Sequence, residues 1–476
     1  MANPKVSVII PTYNGTDYLG EAIDSIINQT YPHFEVIVVD DASPVDTASI
    51  VNRFNDERVK YYQHEQNRGA VAARHTGVLA SSGDIIAFLD QDDLFHKDKL
   101  QAHVTFLQEH SEVGATYNAR FEVQDSSKTI SGLWQPPREL KLADFVLGYP
   151  VAPSDLVLRR EWALLDEIWD DSYASQAEHV IFDGQEIIFG GRLVMAGCLF
   201  GNVGRALNYR RFHSQRILKH LASRCSAELA CQEMIFRDAR CPQDALALRN
   251  IASANIYLIW ALIAYTQEEA DLGQEYLSKA VELKPSLMLG EPCELITSWF
   301  AWVAKDVWDF DRQYEIIIHS IFNNLSPKLQ ELNQELDGVI ARGYLWKGIE
   351  ATIWGNHEDA QTYFAQAEQR RVRIDDAIAQ SLVGELLDYE AEFGAWATQK
   401  IIQDLTAHLD KVGNQRGSRA LQGYYWVNQA FRSYRLGEYS KVPTQIFHGV
   451  VSEPIFLNNR GVLSLLLRSL GRERSG

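Results

Sequence analysis

Five short runs rich in β-branched residues, at positions 6–10, 34–40, 59–62, 85–90 and 115–118, alternate with apolar stripes at helical spacing. Leu19, Ala22, Ile23 and Ile26 form one such stripe, and Leu100, Val104 and Leu107 another. Strand, turn and helix in regular succession are the mark of βαβ units, so this part of the chain predicts an α/β layer built on a mostly parallel sheet. Ser43-Pro44 predicts an N-cap and first helical residue immediately after the second strand. Right-handed crossovers then bring the carboxyl ends of these strands to one edge, where open α/β sheets bind ligands.

From about Ser226 the strand pattern gives way to Leu-, Ala- and Trp-rich helical segments. We therefore expect two domains, 1–222 and 223–476, the second all α. In it an aromatic residue is followed 28 positions later by proline three times: Tyr257 with Pro285, Trp299 with Pro327 and Trp426 with Pro454. A fourth unit starts at Tyr344 with Gly348, Ala360, Phe364 and Ala367 behind it, and has Val372 at the proline position. These spacings resemble tetratricopeptide helix hairpins, in which small residues let two helices approach; an irregular helical domain with core aromatics is the plainer reading.

The chain carries 45 Lys and Arg against 63 Asp and Glu, a net charge of −18, which repels phosphate backbones and disfavours a nucleic acid partner. The first residues lack the basic and long apolar regions of a signal peptide, and no apolar run is long enough for a membrane span, so a cytoplasmic location is expected. Cys198, Cys225, Cys231, Cys241 and Cys293 are odd in number and show no Cys-x-x-Cys pair, which predicts buried reduced thiols.

The expected sheet edge is acidic. Asp40-Asp41 ends the second strand and Asp90-Gln91-Asp92-Asp93 the fourth. Clustered carboxylates repel one another unless a hard cation neutralises them, and Mg²⁺ or Mn²⁺ takes one or two carboxylates together with substrate phosphates. Taken singly, Asp41 also reads as a cap for the next helix and Asp92-Asp93 as solvated turn residues. The first loop, Pro11-Thr12-Tyr13-Asn14-Gly15, has neither a Gly-x-Gly-x-x-Gly run nor a Gly-Lys-Ser/Thr step, which disfavours a dehydrogenase or a P-loop enzyme.

Pro11-Thr12-Tyr13-Asn14, Val38-Val39-Asp40-Asp41-Ala42-Ser43, Asn67-Arg68-Gly69 with Ala73-Arg74 and Gly77, Gly83-Asp84, and Phe88-Leu89-Asp90-Gln91-Asp92-Asp93 stand in the order and spacing of known motifs. Residues 4–220 thereby resemble family-2 inverting glycosyltransferases of the GT-A fold, a Rossmann-like α/β domain. The resemblance implies a nucleotide-diphosphate sugar donor, UDP-linked by preference, and a divalent cation, Mn²⁺ or Mg²⁺. It implies a donor site of Thr12, Tyr13, Asn14, Asp40, Asp41, Arg74, Asp90 and Gln91, with Thr12, Tyr13 and Asp40 at the nucleobase, Asp41 near the ribose, Arg74 at the base or diphosphate, and Asp90 on the ribose. Asp92 and Asp93, with His213 from Tyr209-Arg210-Arg211-Phe212-His213, are the implied metal ligands, and Arg210 or Arg211 would meet the released phosphates.

Inverting transfer needs one base for the acceptor hydroxyl. In the family this is an acid six residues before a helical arginine, a step that here joins Glu186 to Arg192. Glu186 is the implied base and Asp183 the second candidate; Gln185 stands where the family carries an acid. Gly190-Gly191 costs helix stability, so the stretch reads as a short helix or as a turn that lets substrate approach closely. Trp134-Gln135-Pro136-Pro137 and residues 149–153 lie where an acceptor would enter. The Gln-x-x-Arg-Trp signature of processive synthases is absent, so single-sugar transfer to an unknown hydroxyl is expected. The alternative function is a helical-repeat scaffold that binds a partner protein, with a degenerate nucleotide-binding domain. The end of the chain, Leu465-Leu466-Leu467-Arg468 with Arg472 and Arg474, reads as a solvated basic tail, with contact to an anionic membrane as the alternative.

Overall fold

The computed structural model describes residues 3–124, 129–148, 150–169, 185–212, 220–307, 309–370, 374, 376–411 and 414–473. Two compact units divide the chain, Met1–Met288 and Leu289–Gly476.

The first unit begins β1 (Val6–Thr12), α1 (Leu19–Ile27), β2 (Phe34–Asp40), α2 (Thr47–Asn52), β3 (Val59–Gln63), α3 (Gly69–Ala80), β4 (Ile85–Phe88), β5 (Leu94–Phe95) and α4 (Lys99–Glu109). It continues with β6 (Ala115–Gln124), β7 (Thr129–Trp134), α5 (Leu142–Leu147), β8 (Leu156–Arg159), α6 (Arg160–Ala163), α7 (Gln185–Met195) and β9 (Phe200–Phe212). The strands form one sheet in the order β3-β2-β1-β4-β8-β6-β9-β5, with β7 also paired to β6. β1, β2, β3 and β4 are parallel, as alternation with helices requires. β8 runs antiparallel to β4 and β6, and β5 antiparallel to β9, so the sheet is mixed. Since β8 reverses direction between them, β4 and β6 point the same way, and the expected common carboxyl edge survives.

Alternation along each strand sorts side chains onto two apolar layers. Val6, Val8, Ile10, Val36 and Val38 pack with α1 and α4, while Ile9, Ile37, Val39, Ile86 and Phe88 pack with α3 and α7. The helix expected to start at Pro44 begins three residues later, at Thr47, where the Asp46 side chain accepts the Ser49 N–H at 3.0 Å. Ser43 is engaged elsewhere: its N–H donates to Asp40 and its hydroxyl accepts from the Asn14 N–H.

Four more helices complete the unit: α8 (Leu221–Arg237), α9 (Gln243–Leu246), α10 (Arg249–Thr266) and α11 (Ala270–Leu283). Strand pattern does end before α8, but the compact unit extends to Met288 because these helices lie against the sheet layer. Gln232 on α8 donates to the Val146 carbonyl and Asn255 on α10 to that of Leu147, which satisfies the carboxyl end of α5. All five cysteines are buried and none forms a disulfide among the described residues, and burial pushes the Cys225 thiol up to about 12.

The second unit holds α12 (Phe300–Asp306), α13 (Phe310–Asn323), α14 (Leu336–Ile353), α15 (His357–Gln369), α16 (Asp376–Phe393), α17 (Ala395–Lys411), α18 (Gln415–Arg435), α19 (Val442–Ser452) and α20 (Arg460–Glu473). α14 with α15 and α18 with α19 are antiparallel hairpins, as α10 with α11 is in the first unit. Gly348 sits under the Phe364 ring, where an added Cβ would come within 2.8 Å. Pro285, Pro327 and Pro454 each open a 3-10 segment. The unit expected from Trp299 differs: Trp299 closes a π-helical turn, Leu295–Trp299, and α12 packs on α14, not on α13. Val372 lies outside the described residues.

Candidate active site at the carboxyl edge of the sheet

β1 ends at Thr12, and the loop behind it is tied to the loop behind β4. Gln91 Oε1 accepts both the Thr12 hydroxyl at 2.6 Å and the Tyr13 N–H at 3.0 Å, while Gln91 Nε2 donates to the Tyr13 carbonyl. A Cβ at Gly15 would meet Gln91 Oε1 at 2.0 Å and push the Gln91 side chain off these bonds. Asn14 and Ala42, on the loops behind β1 and β2, both have positive φ, +54° and +61°. Such backbone costs of order 1 kcal/mol or more and gathers at functional sites. Tyr13 is left 49% exposed beside these loops.

The two acid pairs have different lives. Asp40 is fully buried and accepts from the Tyr61 hydroxyl at 2.6 Å, Gln63 Nε2 at 3.3 Å and the Ser43 N–H at 2.9 Å. Asp41 accepts the N–H groups of Arg68 and Gly69 at 2.9 and 2.6 Å, with His64 Nδ1 at 2.7 Å. Asp41 thus caps the start of α3, and hydrogen-bond donors, not a cation, compensate the burial of this pair. α3 in turn carries Arg74, whose Nη2 donates to Asp90 Oδ1 at 2.6 Å.

At the second pair the compensation is incomplete. Burial, together with the charges of Asp92 and Asp90, pushes the Asp93 carboxyl up to about 8, against the opposing pull of Arg210 and a hydrogen bond with Ser154. Ser154 belongs to the 3-10 turn Pro153–Asp155, and its hydroxyl also accepts the Asp90 N–H. Register explains the neighbouring arginines: β5 follows the acid loop directly and pairs Leu94 with Tyr209, so 210–211 pass beside Asp93. The Arg211 N–H reaches Asp93 Oδ1 at 3.3 Å. Its guanidinium, expected to meet phosphates, is instead buried, paired with Glu21 and set over the Tyr18 ring. Of the two arginines, Arg210 is the one whose charge reaches Asp93.

Oxygen donors in this pattern suit Mg²⁺ or Mn²⁺, which need only one or two carboxylates. The mutual repulsion recorded at Asp93 is the strain that a cation beside Asp92 and Asp93 would relieve. Among the described residues no group of three or more His, Cys, Asp or Glu side chains is placed to share a metal. His213 and Asp183 lie outside the described residues.

Glu186 falls in the first turn of α7. Of the two readings, short helix or turn, the structure has the helix, which runs unbroken through Gly190 and Gly191. Gly190 makes room for Phe145, whose ring would stand 1.9 Å from an added Cβ, so the glycine serves packing with α5. Ile187, Ile188 and Phe189 are buried, and Arg192 donates to the Glu167 carbonyl. An apolar pocket lined by Phe88, Phe145, Val151, Pro153, Leu156 and Phe189, with Arg74 at its wall, adjoins this helix.

Sequence reasoning missed the polar layer under the acid loop. Asp155 accepts from Arg120 Nη1 at 2.8 Å, Asn208 Nδ2 at 2.6 Å and the Ala152 N–H at 2.7 Å. Lys99, wholly buried, donates to Asn118 and lies 3.4 Å from Asn208 Oδ1, and burial brings its ammonium down to about 7. These residues come from β6, β9, α4 and a turn; the one available signal was charge inside stretches otherwise patterned for a core. Trp134 is 40% exposed, donates to the Pro150 carbonyl and lies against the Arg120 guanidinium.

Residues 7–158 match the family model described as Glycosyl transferase family 2. The chain is 43% identical over 108 residues to a Rickettsia felis protein described as an uncharacterized glycosyltransferase, covering 22% of this chain and 18% of that one. It is 31% identical over 155 residues to the Escherichia coli UDP-Glc:alpha-D-GlcNAc-diphosphoundecaprenol beta-1,3-glucosyltransferase WfaP, covering 33% of this chain and 61% of that protein. The chain therefore spans less than two thirds of the length of either relative. Among solved structures, mannosyltransferase PcManGT from Pyrobaculum calidifontis, in complex with GDP-Man and Mn2+, aligns with a TM-score of 0.41 and 18% identity over 68% of this chain and 88% of that one.

Proposed function

We propose that the chain is a metal-dependent inverting glycosyltransferase that moves one sugar from a nucleotide-diphosphate sugar to an acceptor hydroxyl. The observation that carries this reading is the under-compensated acid loop 90–93, set at the carboxyl edge beside Arg74 and Arg210. A UDP-sugar is the donor we favour, in line with the UDP-Glc in the name of the E. coli relative. The nucleotide lies against exposed Tyr13, with Thr12, Asn14, Asp40 and Gln91 shaping the loop and Asp90 and Arg74 meeting its ribose and diphosphate. Asp41 supports the site from beneath by fixing α3.

Asp92 and Asp93 are the residues that would hold Mg²⁺ or Mn²⁺, with His213 as a further ligand, and such an ion supplies Lewis-acid charge for a departing diphosphate. Glu186 takes the proton from the acceptor hydroxyl, and Asp183 is the alternative base. A base in that role contributes about 10²–10⁴-fold in rate.

Calorimetry with UDP, GDP and dTDP in the presence of Mn²⁺, and mass spectrometry of products formed from a panel of nucleotide sugars with cell extract as acceptor source, test the reading. Asp92→Ala is expected to abolish turnover and cation-dependent nucleotide binding. Glu186→Gln is expected to keep donor affinity while turnover falls by about 10²-fold or more. A wild type that gives no heat with any nucleotide, or an Asp92→Ala protein with wild-type turnover, refutes it.

A further inference from the structure

The last two helices of the second unit expose an apolar surface that nothing in the sugar-transfer chemistry uses. On α19, Val442, Ile446 and Gly449 turn inward, which leaves Phe447 and Val451, one turn apart, facing out. On α20, Val462, Leu465 and Ser469 are buried, while Leu463, Leu467 and Leu470, at steps of four and three, form a second outward stripe. Ile455 stands 61% exposed on the 3-10 segment Pro454–Asn458 between them, and this segment packs on both helices, which also pack on each other. The expectation of a solvated tail accounts for the arginines but not for Leu467, which is 71% exposed.

Single exposed apolar residues are ordinary, but these are concentrated. Eight of the eighteen large hydrophobic side chains exposed among the described residues fall within 436–470. Clustered apolar exposure of this kind marks a docking surface.

Charge selects the occupant. Between 432 and 473 the sequence has six basic and three acidic residues, a net +3 in a chain whose total is −18. Arg432 and Lys441 are paired with Glu390 and Glu438, and Arg460 and Arg468 stand exposed on α20 with the leucines. A two-fold contact with a second copy would bring this positive patch against itself. A bilayer with anionic headgroups offers apolar depth for the leucines and negative charge for the arginines, and it repels the rest of this acidic chain.

We propose that the face made by α19, the segment Pro454–Asn458 and α20 is a peripheral docking surface for an anionic membrane. It belongs to the second unit and stands whether or not the sugar-transfer reading holds. The test is flotation of the full-length protein with vesicles of phosphatidylcholine alone and of phosphatidylcholine with about a third phosphatidylglycerol, at low and high salt. We expect partitioning onto the phosphatidylglycerol vesicles only, weakened by salt. Phe447→Ser with Leu467→Ser, and separately Arg460→Gln with Arg468→Gln, are each expected to lower it about tenfold or more, with far-UV circular dichroism unchanged. Equal behaviour with both vesicle types, a protein that stays with the lipid-free fraction, or a concentration-dependent dimer that the Phe447→Ser, Leu467→Ser protein loses, each overturns the proposal.

Discussion

Glu228 lies on α8 in the middle of the helical layer of the first unit, 1% exposed. Its Oε2 accepts the Trp260 indole N–H at 2.7 Å, and its Oε1 is buried with no partner among the described residues. One hydrogen bond does not replace the water that a carboxylate loses, so burial pushes the Glu228 carboxyl up to about 8, with the Trp260 bond opposing. Between its ordinary value of 4.5 and about 8, the folded chain holds a proton that the unfolded chain has released. Stability therefore falls as pH rises through this window, by ~1.4 kcal/mol per unit, and levels off above it. At pH 7 the accumulated penalty is about 3 kcal/mol, and it disappears toward pH 4.

Glu228→Gln keeps an acceptor for Trp260 and removes the titration. The variant is expected to exceed the wild type by less than about 1 kcal/mol near pH 5 and by about 3 kcal/mol at pH 7, with a larger gap at pH 8.5. Urea unfolding of both proteins at several pH values, followed by tryptophan fluorescence and circular dichroism, measures that gap. A difference that stays constant from pH 5 to 8.5 would show that Glu228 does not carry a proton in the folded state and refute the argument.

Other consequences are more local. Arg120→Met strands Asp155 as a buried carboxylate without its guanidinium, and is expected to cost about 3–5 kcal/mol in urea unfolding. Because Asp155 adjoins Ser154, the same variant should also weaken nucleotide binding measured by calorimetry. Gly190→Ala drives a methyl into the Phe145 ring and is expected to destabilise by about 1–3 kcal/mol, measured as a lowered melting temperature. Phe145→Leu in the same chain should recover part of that loss, which a role for Gly190 in substrate approach would not predict.

The acidic edge shows how far local sequence carries. Two Asp pairs at strand ends look alike in the chain, yet one is wrapped by Tyr61, Ser43 and the start of α3, while the other is left under-compensated between Ser154 and Arg210. Apart from Ser43, three residues beyond Asp40, the donors arrive from strands and turns remote in sequence, so little beside either pair distinguishes them. Likewise the tandem arginines 210 and 211 part company through strand alternation: Arg211 turns to Glu21 and Tyr18, while Arg210 adds its charge at Asp93. The short strands β5, β7 and β8 escaped notice because they depend on their partners more than on their own patterning. β9 was hidden by its many polar residues, which serve the buried layer with Asp155.

Periodicity is a local property, and by itself it determined the βαβ half, the common edge of its strands, the helical half and the hairpins around Tyr257, Tyr344 and Trp426. Those features follow from which residues must leave water every two or every 3.6 positions. Only tertiary structure decided that β8 reverses and makes the sheet mixed, that α8–α11 join the sheet unit, that the helix Asp41 caps is α3 and that Gly190 seats a phenylalanine. Each of these depends on neighbours brought together across tens of residues, where desolvation and close packing, not local preference, set the outcome.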